Sequence, residues 1–419
     1  MLKRTDAALR NRRKAICLLA VWLLCAGIPV SVFDFAVTGV RAFAAESVDL
    51  FPHKARIRFA RDFTITYHGT YKCLKVLTPW QNAARSFVYI LVARGYAPPA
   101  DLPPGALVFS IPLERFAVCS ILWTAFLPML NIQHTVVGIA GCDWVHTPAI
   151  RDLIHQGRIS EIGDGGHSMS SRINMERLAL LKPDAVMVYA TGIPRYDQAP
   201  KLLEAGFKPV INESYMEATP LGRTEWIKFI AAFFNKEAEA ERIFDDIAGR
   251  YETLAEKTRH VSRRPTAFCN VARHGTWYTP GGGSYTARFL KDAGADYLWR
   301  QDKTPGSMPL SIETIVERAR DADFWLDPGT CVSLAELRAL DDRCDLFRAF
   351  RTGNVFNNNA RVNAAGGNDF WETGAARPDL VLADLISIFH PELVPGHRCV
   401  WYRCLPPYCS IESPLVSYR

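Results

Sequence analysis

Asn174-Met175-Glu176-Arg177-Leu178-Ala179-Leu180-Leu181-Lys182-Pro183-Asp184-Ala185-Val186 decides the fold. Asn174 to Leu181 has helical spacing, and Ala185 to Tyr189 is a short apolar run that reads as a buried strand. The same unit recurs about 137 residues later. Ser311-Ile312-Glu313-Thr314-Ile315 precedes Asp321-Ala322-Asp323-Phe324. Each copy is a short helix with an early glutamate, followed by an Asp-led strand. Two such units, one on each side of a long helical stretch, point to two related lobes.

Working outward, short strands and helices alternate on both sides. Val136 to Ile139, Pro209 to Ile211, Thr266 to Val271, Phe324 to Leu326 and Asn354 to Phe356 read as strands. Ser284 to Ala293, Ile312 to Ala319, Leu334 to Leu340 and Pro378 to Phe389 read as helices. The first lobe opens with Phe116-Ala117-Val118 leading into an apolar helix through Leu130. This alternation implies α/β architecture, with parallel sheets carrying helices on their faces. Between the lobes, residues 222 to 260 read as helix with one break, and Asn235 is the expected N-cap of the second part. Ala240, Ile243, Phe244, Ile247, Tyr251 and Leu254 form its apolar stripe. About 25 residues would span nearly 40 Å, longer than one lobe needs.

Ahead of the first lobe, about residues 56 to 112 hold four β-branched and aromatic runs separated by turns, expected as a small meander. The expected organisation is therefore a leader at 1–44, a strand-rich extension at 45–112, an N-terminal Rossmann-like lobe at 113–234, an interlobe helix at 235–261, a second lobe at 262–395 and an irregular cysteine-rich tail at 396–419.

The chain has 419 residues, 49% hydrophobic and 22% charged, which excludes a disordered chain, a collagen-like repeat and a polytopic membrane protein. Its net charge of +6 would suggest an anionic partner, but the charge is concentrated at one end. Residues 1–44 hold seven basic and two acidic side chains, so +5 sits there and +1 in the remainder. Nucleic-acid binding thus has no electrostatic support. The leader has a basic region ending at Lys14, an apolar run from Ala15 to Phe33 and a small-x-small site at Ala42-Phe43-Ala44, the pattern of a cleavable secretory signal. A retained membrane anchor is the alternative; Pro29 and Asp34 argue against it. Bulky Leu24 argues against a lipoprotein site at Cys25. Nine cysteines lie beyond the leader, none as C-x-x-C. Cys331 with Cys344, or a pair in the tail, would be candidate disulfides; buried free thiols are the alternative.

The ordered motifs resemble the class of periplasmic substrate-binding proteins with a rigid interlobe helix, which serve ABC importers of iron-siderophores, haem and cobalamin. The resemblance spans about residues 114 to 395. It rests on the opening signature, on Trp277 to Ala295 with its glycine loop, on Gly366-Gly367-Asn368-Asp369-Phe370-Trp371-Glu372 and on Pro378 to Asp384. It implies a monomeric, exported, non-enzymatic protein without a resident cofactor or metal. Its expected partners are an ABC permease with its ATPase and a small-molecule metal chelate. It implies that Glu176 and Glu313 dock onto permease arginines. It places Tyr189, Trp277, Tyr278, Trp144, Arg361 and Trp371 at the ligand cleft. His146, Arg273, the Gly165 to Ser171 loop and Ser307-Met308 are further cleft candidates. Aromatic faces suit a flat or catecholate ligand, and an arginine suits its carboxylates. The implied cargo is a ferric siderophore or haem. Alternatives are cobalamin or free Zn/Mn, the latter held by Cys142, Asp143, His146 and His167. A third possibility is an exported hydrolase, although Gly282-Gly283-Ser284-Tyr285-Thr286 misses the last position of G-x-S-x-G.

Overall fold

The computed structural model describes residues 48–80, 83, 86–164 and 172–407. The leader at 1–44, the Gly165 to Ser171 loop, His167 and Cys409 lie outside the described residues.

Strands β1 (Phe63–His68), β2 (Tyr71–Val76), β3 (Phe87–Ala93) and β4 (Leu107–Ile111) form one sheet in that order. It is not the meander expected from its turns: β3 and β4 pair in parallel. The sheet covers the helix Pro220–Ala232.

The first lobe's sheet has the order β7-β6-β5-β8-β9, all parallel: β5 (Phe116–Val118), β6 (Val136–Ile139), β7 (Ser160–Glu161), β8 (Ala185–Val188) and β9 (Pro209–Ile211). Helices α1 (Pro148–His155), α2 (Met175–Leu181) and α3 (Ala199–Glu204) belong to it. The apolar run after β5 is not one helix. It forms a 3-10 turn at Ile121–Trp123 and a single helical turn at Phe126–Met129. Thr124 lies between them and donates its hydroxyl to both Ile121 O and Glu372 Oε1.

Two helices then cross between the lobes, α4 (Pro220–Ala232) and α5 (Glu237–Lys257). The α5 helix has 21 residues, so it is ~31 Å long, shorter than the sequence suggested. Asn235 is the break rather than the cap: its φ of 56° is left-handed, a conformation asparagine tolerates. Its Oδ1 accepts a 2.8 Å bond from Lys72 Nζ.

The second lobe's sheet has the order β13-β10-β15-β16-β17, with β10 (Thr266–Cys269), β13 (Asp296–Tyr297), β15 (Phe324–Leu326), β16 (Val355–Asn357) and β17 (Arg403–Cys404). A small antiparallel sheet, β11 (Ala272–Arg273), β12 (Thr276–Pro280) and β14 (Ser307–Leu310), leans on it. Helices α6 (Tyr285–Asp292), α7 (Ile312–Ala319), α8 (Leu334–Leu340) and α9 (Pro378–Phe389) complete the lobe. The tail corrects the sequence reading. It adds β17 antiparallel to β16 and buries Trp401, Tyr402 and Leu405. Cys331 and Cys344 are free, buried thiols rather than a bridge.

The internal repeat has a structural meaning. Asn174 caps α2 by accepting from Arg177 N, and Ser311 caps α7 by accepting from Thr314 N. Asp184, just ahead of β8, accepts from the amides of Glu114 and Arg115 ahead of neighbouring β5, both at 2.9 Å. Asp323, just ahead of β15, does the same for Thr266 at the start of neighbouring β10. The repeated aspartate therefore ties together the amino ends of two adjacent strands in each lobe.

The α4 helix is buried almost all round. Phe63 packs on Trp226 at 4.8 Å between ring centroids, and Tyr89 and Phe109 meet Phe229 and Phe233. Each such ring contributes about 1.5–3 kcal/mol on burial. Polar groups on the helix are satisfied internally. Glu225 accepts from the amides of Arg58, Phe59 and Ala60, and Lys228 pairs with Glu225 and Glu241. Lys72, fully buried on β2, pairs with Glu237 at the start of α5 and bonds Ala232 O at the end of α4. The strand-rich extension is thus clamped to the α4–α5 junction. No helix among the described residues is long and apolar enough to cross a membrane.

Candidate functional site

A cleft of about 930 Å³ opens between the lobes, within the ~300–1,000 Å³ usual for small-molecule sites. Chain topology puts it there. Parallel strands end at one edge of each sheet, and the residues just past those ends are free to line a crevice. On the first lobe these are Ile121 and Leu122 after β5, and Trp144 after β6. On the second they are Asn270 after β10, Asp327 after β15 and Asn358 after β16.

Three of the aromatic residues expected from sequence line this cleft: Trp144, Tyr278 and Trp371. Tyr278 and Trp371 are 46% and 45% exposed, which leaves their faces available. Arg273 and Ser307 line it as well. The other expected residues lie elsewhere. Trp277 is buried in the second lobe's core, donating its indole N–H to Cys269 O at 2.9 Å. Strand alternation explains the difference: Tyr278 faces out of β12 where Trp277 faces in. Arg361 is held by Asp369 at 2.8 Å and is not among the cleft-lining residues. Tyr189 is half-buried outside the lining, and burial raises its hydroxyl to about 12. His146 does not itself line the cleft; its ring bonds O of Gly367, which does.

The charged centre of the cleft was not among the residues singled out from sequence. Arg223, on α4, places its guanidinium 3.7 Å from the ring centroid of Tyr285 on α6. Its Nε donates to Glu217 O at 3.1 Å, and it forms no ion pair among the described residues. Burial pulls the Arg223 pKa down from its ordinary value, yet an arginine stays charged. Burial raises the Tyr285 hydroxyl to about 12, with Arg223 opposing the rise. Opposite in sign, Asp327 has φ of 55°, and burial lifts its carboxyl to about 7. The sequence signal was available in principle, since both Asn270 and Asp327 directly follow strands of a parallel sheet. Arg223 gave no such signal, because its neighbours on α4 are core residues.

The cleft walls are fixed to each other. Fully buried Glu372 follows the second lobe's Trp371. It accepts from Thr124 Oγ1, from the amides of His146 and Thr147, and from Thr147 Oγ1. All four donors belong to the first lobe. Gly367 lies so close to the Trp144 backbone that a Cβ there would collide with it. Asn363 adds a 2.9 Å bond to Asp143 O. The Gly281 to Gly283 run makes a similar close approach, packing against the backbone of Asp302 to Thr304. It delivers Ser284, whose Oγ caps α6 by accepting from Ala287 N; among the described residues that is its one hydrogen bond. Among the described residues no histidine or carboxylate hydrogen-bonds it. Among the described residues, no three His, Cys, Asp or Glu side chains gather to hold a metal ion.

Glu176 and Glu313 are both exposed and both occupy the second position of their helices, α2 and α7. Glu313 lies 3.4 Å from Arg343, and its carboxyl is held below its ordinary value by hydrogen bonds at the helix start.

Comparison with known proteins agrees with this architecture. A family model described as periplasmic binding protein matches residues 124–362. An uncharacterized lipoprotein of Methanocaldococcus jannaschii is 30% identical over 301 residues, covering 70% of this chain and 68% of that one. A second uncharacterized lipoprotein of the same organism is 27% identical over 323 residues, covering 74% and 77%. Among solved structures, a possible iron-binding (periplasmic solute-binding) protein from Staphylococcus epidermidis aligns at a TM-score of 0.51 and 18% identity. It covers 66% of this chain and 98% of that one. A protein of an ABC-type Fe3+-hydroxamate transport system from Saccharomonospora viridis aligns at 0.51 and 16%, covering 67% and 95%. At these identities the structural likeness is one of fold. With the matched family model and the lipoprotein relative, the two-lobed chain belongs to the periplasmic binding protein family, whose members bind substrates rather than transform them.

Proposed function

We propose that this protein captures an iron complex in its interlobe cleft and delivers it to the permease of an ABC importer. The observation that carries this reading is the Arg223 guanidinium, laid over Tyr285 with no direct ion pair among the described residues, in a cleft that Trp144, Tyr278 and Trp371 also line. A fixed cation beside aromatic faces suits an anionic or π-rich chelate. Two fold relatives, a possible iron-binding protein and a protein of an Fe3+-hydroxamate transport system, support the same class.

Docking would use Glu176 and Glu313. Two equivalent carboxylates on separate lobes offer a two-point charge pattern to a cationic partner. An exposed leucine accompanies each. Leu180, 81% exposed, lies one turn after Glu176. Leu340, 63% exposed, precedes Asp341, which holds the Arg343 that reaches Glu313. Export through the leader at 1–44 accords with the family and with lipoprotein relatives. Sequencing the mature amino terminus checks it, because an intact Met1 contradicts cleavage.

The test of ligand class is a titration of the purified protein with ferric hydroxamates, ferric catecholates and haemin. Intrinsic fluorescence is the readout, since Trp144 and Trp371 line the cleft. Quenching with micromolar or tighter affinity by one of these classes is expected. Absence of quenching and of thermal shift across all three refutes the reading.

A further inference from the structure

The cleft also holds an unsatisfied acidic group, opposite in sign to Arg223. Asp327 lines it directly after β15, in a left-handed backbone conformation that glycine would adopt without strain. Its Oδ1 is shielded from solvent and has no hydrogen-bond partner. Its Oδ2 has one distant neighbour, the Tyr402 hydroxyl at 3.4 Å, and the side chain forms no ion pair among the described residues. The neighbouring polar groups are committed elsewhere. Asn270 donates its side chain to Tyr278 O, and Asn357 donates to Gly329 O and Cys331 O. A shielded carboxylate oxygen without a donor is costly, and the residue that carries it lines the cleft. Burial lifts this carboxyl to about 7, which agrees with a group awaiting a partner.

We propose that Asp327 receives a protonated amine of the ligand, while the anionic or aromatic part of the same ligand lies on Arg223 and Tyr285. The cargo is then an amine-bearing ferric chelate rather than haem. Haem brings propionate carboxylates to its periphery and no ammonium group. It would satisfy Arg223 or Arg273 and leave Asp327 facing like charge. A hydroxamate or catecholate chelate with a pendant amine satisfies both poles at once.

This inference rests on the iron-complex reading above, and the experiment separates the two. Wild-type protein and Asp327→Asn are titrated at pH 8 with ferrioxamine B, a ferric trihydroxamate with one free amine, with the same complex acetylated at that amine, and with haemin. Wild type should bind the free-amine complex at least about tenfold tighter than the acetylated one, the size expected of a charge-assisted hydrogen bond. Asp327→Asn should collapse that ratio to within about twofold, whatever it does to either affinity alone. Equal wild-type affinities, or a ratio that survives in Asp327→Asn, overturn the amine assignment and leave the iron-complex reading standing. Binding of haemin without either hydroxamate overturns the amine assignment as well. Failure of all three complexes to bind, together with failure of the ferric catecholates in the titration above, removes both.

Discussion

The Arg223 guanidinium stands 3.7 Å from the ring centroid of Tyr285 and forms no direct ion pair among the described residues, although the Glu217 carboxylate acts on it electrostatically. The ring holds the cation in place without an ion pair, and the residue lines the cleft where a ligand can meet it. Arg223→Gln should weaken binding of an anionic ferric chelate by about 10- to 100-fold, the loss of a charged hydrogen bond. Tyr285→Phe keeps the ring face and should cost less than a few-fold. Fluorescence titration of both variants checks the order.

Loss of the two exposed glutamates should separate delivery from capture. The double variant Glu176→Ala, Glu313→Ala is expected to abolish uptake in cells while ligand affinity in vitro stays at the wild-type value. Wild-type uptake by the double variant would remove the docking assignment. Each single variant should be intermediate, because the charges act at separate points.

Glu372 should control how firmly the lobes hold together. Four donors from the first lobe converge on it, so Glu372→Ala leaves several buried groups without partners. A stability loss of about 3–5 kcal/mol is expected. Hydrogen exchange should quicken at Thr124, His146 and Thr147 ahead of the rest of the fold. Unchanged protection at those amides would contradict the clamp.

Lys72 and Glu237 test the buried junction. Lys72→Met leaves Glu237 buried without its partner and should cost about 3–5 kcal/mol. Adding Glu237→Leu should recover much of that loss, since a well-packed apolar pair can replace a buried ion pair. Denaturant midpoints of the single and double variants measure the recovery.

Asp327 gives a stability profile with a definite sign. Its folded carboxyl titrates near 7, above the ordinary value of about 4. The folded state therefore favours the protonated form, and that contribution is present below pH 4 and lost as pH rises through 7. Asp327→Asn should raise the ligand-free melting temperature at pH 8, by an amount equivalent to about 1–4 kcal/mol, and leave it near wild type at pH 4. Equal melting temperatures at pH 8 would contradict the raised value.

The two-lobed α/β plan was legible because its repeated unit is local. Helix cap, early glutamate and Asp-led strand all fall within about a dozen residues, and Asp184 and Asp323 show why that spacing recurs. Surface positions such as Glu176 and Glu313 were legible for the same reason, since their exposure follows from helix phase. Pairings between distant segments were not. The parallel β3–β4 contact, the β17 strand and the lysine that bonds Asn235 all depend on partners far along the chain. Arg223 and Glu372 sit in apolar or loop sequence whose chemistry appears only when both lobes are folded. Trp277 and Tyr278 were ambiguous because alternation fixes that one faces in, while the sequence leaves the sheet's orientation open.

The four-stranded sheet sets a practical boundary for anyone shortening this protein. The family match begins at Thr124, beyond all four of its strands, and a fragment cut to that match would strip the cover from α4. Trp226, Phe229 and Phe233 would then face water, as would Glu225 and Lys228 without the backbone groups of residues 56–60 that they bond. Such a fragment should aggregate rather than report weak binding. In this chain the family match and the smallest folding unit have different starting points.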